Sequence, residues 1–216
     1  MPDRVEHLAL LLDLDGTLVD SEPVHRQMYV DWFTARGWPV DPGQLARFTG
    51  RRAEDVFASD SGPWTGQDPV ALLREAVAYF PADALPLAMP GASALVASAR
   101  HARPIALVTS AGAPWVARCL GEVLGVLDAF DVIVTNADVQ FGKPHPEGYA
   151  LACTRLEVLA ADCLAVEDSP AGIRSAREAG VGTVVGITST FTEAELSAAG
   201  AHRVVAGLDE VSALLR

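Results

Sequence analysis

An α/β fold is predicted for this sequence: a mostly parallel sheet with helices on both faces, interrupted after its first strand by a block of helices. Three observations carry that expectation. Beyond Met89, helix and strand patterns alternate repeatedly, which is how parallel strands joined by crossover helices read. The strand patterns are short continuous apolar runs such as "LALLL" and "IALV", the form taken by strands covered on both faces. Between them, residues 17–87 carry helical patterning and no strand signal.

The first strand is the apolar run that stops at Asp13 and Asp15 and turns on Gly16 and Thr17. In "EPVHRQMYVDWFTARG" the apolar Val24, Met28, Trp32 and Ala35 recur at helical spacing, and Gly37 and Pro39 close the helix. "RRAEDVFAS" and "DPVALLREAVAYF" predict two further helices, parted by the turn-rich "DSGPWTG". "TLVDS" and "ALPLAMPG" are the expected hinge strands, with prolines stiffening the return. Then come a helix over 92–101, the strand "IALVTS", a helix from Trp115 to Leu124, the strand "DVIVTN", a helix from Pro146 to Leu156 and the strand "CLAVED". A helix opened by "SPAG", the strand "GTVVGIT", a helix from Thr192, a short strand "HRVVAG" and a last helix complete the series. The expected organisation is a core domain of residues 1–16 and 88–216 around an inserted domain of residues 17–87.

Half of the 216 residues are hydrophobic, enough for a core domain with a small accessory one. No apolar run reaches membrane-spanning length, and "LALLL" is too short and too close to charged residues for a signal peptide, so a soluble, cytoplasmic protein with no membrane partner is expected. Cys119, Cys153 and Cys163 lie in apolar segments without zinc spacing and are expected to be buried free thiols. A formal net charge of −12 argues against nucleic-acid binding, so an anionic small molecule would have to be attracted locally.

In open parallel sheets ligands bind beyond the carboxyl ends of the strands, near the point where strand order reverses. Polar signals gather there: Asp13 and Asp15 after the first strand, Thr109 and Ser110 after "IALV", Lys143 beyond "DVIVTN", and Glu167 and Asp168 closing "CLAVED". Each alone reads equally well as turn or cap chemistry. Together they make a phosphoryl-transfer site. Clustered carboxylates suit a hard cation with oxygen ligands, and Mg²⁺ fits best. A carboxylate aimed at phosphorus can attack it covalently, while a lysine supplies charge and a threonine hydroxyl a hydrogen bond. The Walker pattern GxxxxGK[ST] is absent.

"DLDGTLVDSE", "LVTS", "GKPHPEGY" and "VEDSPAGI" together resemble the motifs of the haloacid dehalogenase superfamily, in particular its phosphatases with a helical cap inserted after the first motif. The resemblance spans Asp13 to Ile173 and implies a Rossmann-like core with an α-helical cap domain. It implies a Mg²⁺-dependent phosphatase acting on small phosphorylated metabolites, sugar or polyol phosphates, through an aspartyl phosphate. By the same resemblance Asp13 is nucleophile and metal ligand, and Asp15 is general acid then base, offering its backbone carbonyl to the metal. Thr109 would hydrogen-bond the phosphoryl group, Lys143 neutralise it and orient Asp13, and Asp168 complete the metal site with Glu167 supporting it.

Specificity is expected to lie in the cap, since the core motifs reach only phosphoryl group and metal. His25, Arg51 and Arg52, with Ser110 on the core side, are the expected substrate-binding residues. The expected assembly is a monomer or weak homodimer. A β-phosphoglucomutase-like phosphosugar mutase shares all four motifs, but Thr17 stands where those mutases typically carry valine and Ala53 where they carry a basic residue. A phosphoryl-accepting signalling module, from another class, also sets Asp, Thr and Lys at strand ends, yet is shorter and lacks a helical insertion.

Overall fold

The computed structural model describes residues 9–49, 51–81 and 83–215. Residues 1–8, expected to belong to the core domain, lie outside the described residues, as does Gly50 before Arg51. In chain order the elements are β1 (Ala9–Leu12), β2 (Val19–Asp20), α1 (Glu22–Ala35), α2 (Pro42–Leu45), α3 (Ala53–Ser59), α4 (Pro69–Val77), β3 (Leu87–Ala88), α5 (Ala92–Ala99) and β4 (Ile105–Val108). There follow α6 (Ala113–Arg118), β5 (Val132–Val134), α7 (Glu147–Leu156), β6 (Cys163–Glu167), α8 (Pro170–Glu178), β7 (Thr183–Ile187), α9 (Glu193–Ala198), β8 (Arg203–Val205) and α10 (Leu208–Leu214).

Six parallel strands form one sheet in the order β5-β4-β1-β6-β7-β8. After β1 the chain builds outward through β4 and β5, then returns to add β6 on the other side of β1, so the order reverses around β1. In register Leu12 stands opposite Leu107 of β4 and Val166 of β6, which brings the residues following all three strands to one level. Leu10 and Leu12 enter one apolar cluster with residues of α5, α6 and α10, while Ala9 and Leu11 enter another with residues of α7, α8 and α9. Alternate side chains of β1 thus serve opposite faces. A strand covered on both sides has no polar face, hence the unbroken apolar run. Each fully buried leucine contributes roughly 1.5–3 kcal/mol.

Residues 22–80 form a helical unit with its own cluster, centred on Trp32, Phe33, Phe48, Phe57 and Trp64. The buried face of α1 is Met28, Tyr29, Trp32 and Phe33, whereas Ala35, expected on that face, is exposed. Three features depart from expectation. Segment 17–87 does contain strand: Val19 pairs with Ala88 and Asp20 with Leu87 in a two-stranded antiparallel ribbon lying within the expected hinges. The short α2, continued by a 3-10 turn at Ala46–Phe48, has no sequence periodicity to betray it, although Asp41 caps it by accepting from the Gly43 amide at 2.7 Å. The helix expected from Trp115 to Leu124 is α6 running into a single π-helical turn at Cys119–Val123.

Candidate active site

The ends of β1, β4 and β6 converge with the loop after β5. Asp13 follows β1 directly, its amide donating to the Val166 carbonyl of β6 at 3.2 Å, and its side chain is buried. Lys143 is buried beside it. Its ammonium donates to Asp13 Oδ1 at 2.6 Å, Glu167 Oε1 at 2.5 Å and the Val108 carbonyl at 2.9 Å. An ammonium has three N–H donors, so these bonds saturate it. Thr109, also buried, accepts from the Ala111 amide at 3.0 Å. Oxygens of Asp13, Glu167 and Asp168 lie within 4.8 Å of one another. The backbone that permits this approach is glycine: a Cβ on Gly16 (φ +80°) would strike the Asp168 carboxylate, and one on Gly172 the Glu167 carboxylate.

Charge at this centre is unbalanced. Three carboxylates face one ammonium, and burial raises the Asp13 carboxyl to about 7 against the pull of Lys143. Burial likewise lifts Asp168 well above the ordinary range, with Asp13 and Glu167 adding repulsion. Desolvation opposes the Lys143 charge, but the adjacent carboxylates outweigh it and the net shift is upward. Two polar atoms here are buried without a hydrogen-bond partner, Asp13 Oδ2 and Ser110 Oγ. Orphaned buried oxygens at a charged centre mark where a ligand completes the arrangement.

A cavity of about 420 Å³ opens above them, between the strand ends and the helical unit, lined by Asp13, Asp15, Thr109, Ser110, Lys143 and Asp168 on the core side. Tyr29, Phe48, Val77 and Phe80 make much of the opposite wall apolar. His25, Arg51 and Arg52 all reach this cavity. The arginines are not free, however. Arg51 makes two charge-assisted bonds to Asp60, at 3.0 and 3.1 Å, and Arg52 donates to the Gln140 carbonyl at 3.3 Å across to the core. His25 packs its ring against Trp115 and Phe80, at centroid distances of 5.3 and 5.8 Å. Asp15 stands apart from the three-carboxylate group, its Oδ1 accepting from the Trp115 indole at 2.9 Å.

Several participants escaped the sequence reading. Tyr149 is fully buried and donates to Glu167 Oε1 at 2.8 Å. It closes the "GKPHPEGY" motif, yet an aromatic at helical spacing reads as core. Ser169 also donates to Glu167, at Oε2 and 3.2 Å, and Thr190 hydrogen-bonds Asp168. Trp115 left no signal, because its partner is 100 residues away.

A family-wide sequence model for haloacid dehalogenase-like hydrolases matches residues 8–180. Validoxylamine A 7'-phosphate phosphatase from Streptomyces hygroscopicus subsp. limoneus is 37% identical over 88% of this chain and 89% of its own. Hexitol phosphatase A from Escherichia coli (strain K12) is 34% identical over 79% of this chain and 78% of its own. Among solved structures, CbbY from Rhodobacter sphaeroides in complex with phosphate superposes with a TM-score of 0.80 at 28% identity, covering 94% of this chain and 96% of that one.

Proposed function

The chain belongs to the haloacid dehalogenase-like hydrolases and is a phosphoric monoester hydrolase, and from that premise we propose that it is a magnesium-dependent phosphatase of small sugar or polyol phosphates working through an aspartyl phosphate. One observation carries the reading: Asp13 has one oxygen held by Lys143 while the other, Oδ2, is buried and unpartnered at the floor of the cavity. That is the condition of a nucleophile held ready for one direction of attack.

In the proposed sequence Asp13 Oδ2 attacks phosphorus and forms the acyl phosphate, as the ester P–O bond breaks and Asp15 gives its proton to the departing alkoxide. Asp15, now a carboxylate, takes a proton from water as the water attacks phosphorus; the P–O bond to Asp13 breaks and phosphate leaves. Thr109 and Ser110 supply hydroxyls for the phosphoryl oxygens. Lys143, its donors saturated, acts by charge and by fixing Asp13. Asp13, Asp168 and the Asp15 carbonyl would hold Mg²⁺, with Glu167 in support. The donor set fits: all are hard oxygens, and the two uncompensated negative charges match one divalent cation. When bound, the ion would neutralise charge developing on the phosphoryl group.

The inserted segment, residues 17–87, would serve as the cap that closes on substrate and excludes water. The relatives named for validoxylamine A 7'-phosphate and for hexitol phosphate support a small phosphorylated substrate, the second of them a polyol phosphate. A mutase reading is not favoured: the two sequence relatives above are named as phosphatases, and Arg51, one cap cation that could grip a second phosphate, is tied to Asp60. Phosphate release measured over hexose, pentose, polyol and glycolate phosphates, with magnesium and with chelator, tests the proposal. Release should require magnesium and vanish in Asp13→Asn. Undiminished turnover under chelator removes the metal, and full activity in Asp13→Asn removes the covalent step.

A further inference from the structure

One hydrogen bond of the cavity has no place in the phosphoryl chemistry described above. Asp15 lies between Leu14 and Gly16, its backbone bridged to Val19, and its carboxylate is held by the Trp115 indole N–H at 2.9 Å. An indole nitrogen donates and cannot accept. It can therefore hold one carboxylate oxygen in place without competing for a proton on the other.

The indole is held in turn. Trp115 lies on α6 of the core, but the rings against it come from the helical unit: Phe80 just beyond α4, at 4.9 Å and 71° between planes, and His25 of α1, at 5.3 Å. His25 and Phe80 touch each other at 5.8 Å, closing a triangle of rings across the junction of unit and core. Phe80 meets both rings edge to face and His25 is tilted against Trp115, and packed rings of this kind fix orientation as well as excluding water. The position of the helical unit is thereby passed to Asp15 through one rigid side chain.

We propose that Trp115 is a positioning residue for Asp15, seated by His25 and Phe80 so that the Asp15 carboxyl is aligned while the helical unit lies against the core. This rests on the reading of Asp15 as general acid and base. It gives His25 a task other than binding substrate, and it assigns Phe80 and Trp115 tasks that the sequence did not suggest.

The test uses the full-length protein with magnesium and an aryl phosphate series running from p-nitrophenyl phosphate, whose leaving group departs unaided, to phenyl phosphate, whose leaving group needs a proton. Trp115→Phe keeps the ring and deletes the N–H. Its kcat for phenyl phosphate should fall by about 10- to 100-fold, with p-nitrophenyl phosphate much less affected and KM for both nearly unchanged. Phe80→Leu, which leaves the N–H in place but loosens its seat, should move kcat in the same direction by less. Added to Asp15→Asn, Trp115→Phe should cost nothing further, because it acts through Asp15.

Equal losses on both substrates, or a Trp115→Phe penalty that persists in the Asp15→Asn background, would reduce Trp115 to a packing residue. If Asp15→Asn alone showed no leaving-group dependence, the acid-base reading of Asp15 would fail and the positioning role with it. A dependence present in Asp15→Asn and missing in Trp115→Phe and Phe80→Leu would overturn only the positioning role.

Discussion

Lys143 reaches two carboxylates and a carbonyl with its three N–H donors, and the burial of that cluster explains why neighbouring residues matter to it. Tyr149 supplies Glu167 with a further donor from a fully buried position. Tyr149→Phe keeps the ring and removes the hydroxyl, leaving Glu167 one bond poorer where water cannot substitute. Urea denaturation should show a loss of about 1.5–3 kcal/mol, the cost of a hydrogen bond to a charged acceptor. Asp13, Thr109, Glu167 and Asp168 stood out as a group because each ends or directly follows an apolar strand, while Lys143, in the loop beyond β5, joined them only through its motif. The state of Arg51 was not legible. Its partner Asp60 lies at the far end of α3, and only the helix geometry brings the two together.

Among the elements, the short strands of the parallel sheet were legible as apolar runs and the longer helices from their period, whereas α2 was not. β2 and β3, two residues each, are too short to leave any alternation and were legible only through the hinge segments that hold them, and α2 is a single turn. α9 is short as well, yet it was legible from its start: Thr192 and Glu195 form a reciprocal capping box, with the Thr192 hydroxyl at 2.6 Å and its amide at 2.9 Å from Glu195. Thr192→Ala should lower stability by about 1 kcal/mol at neutral pH. Glu195 is held below its ordinary value of 4.5 by those bonds to Thr192, first from the hydroxyl and then from the amide. A depressed carboxyl lends stability above its unfolded value and loses it as pH falls through the folded one. The difference between Thr192→Ala and the parent should therefore shrink as thermal melts are taken from pH 7 to below pH 4.

For the whole molecule, the reversal of strand order around β1 is what turns dispersed sequence signals into one site, since it places β4 and β6 on either side of the strand that ends in Asp13. Alternation of patterns made the parallel sheet legible, and the strand-end rule then pointed to the candidate site. The shape of the cavity was beyond reach, because its far wall comes from helices whose packing no local pattern encodes. The excess of negative charge at the strand ends carries a prediction for the folded state as a whole. An ion that binds the native arrangement of carboxylates and not the unfolded chain stabilises the fold, so on the proposed reading added magnesium should raise the melting temperature, by the equivalent of about 2.7 kcal/mol at a hundredfold excess over its dissociation constant. Chelator should reverse the shift and Asp168→Asn should blunt it. A melting curve indifferent to the ion would mean that these carboxylates do not gather it.

The ribbon of β2 and β3 has one more implication. Because Asp20 lies opposite Leu87, the chain leaves the sheet and returns to it at neighbouring points, with the whole helical unit strung between them. Nothing in the path of the remaining strands depends on what fills that gap. A tight turn could bridge it, or another family's helices could be grafted there, with the parallel sheet threaded as before. The molecule is built as a socket and a replaceable fitting, so on the proposed reading new substrates can be explored by exchanging one contiguous stretch of gene while the strand ends assigned to the chemistry stay untouched.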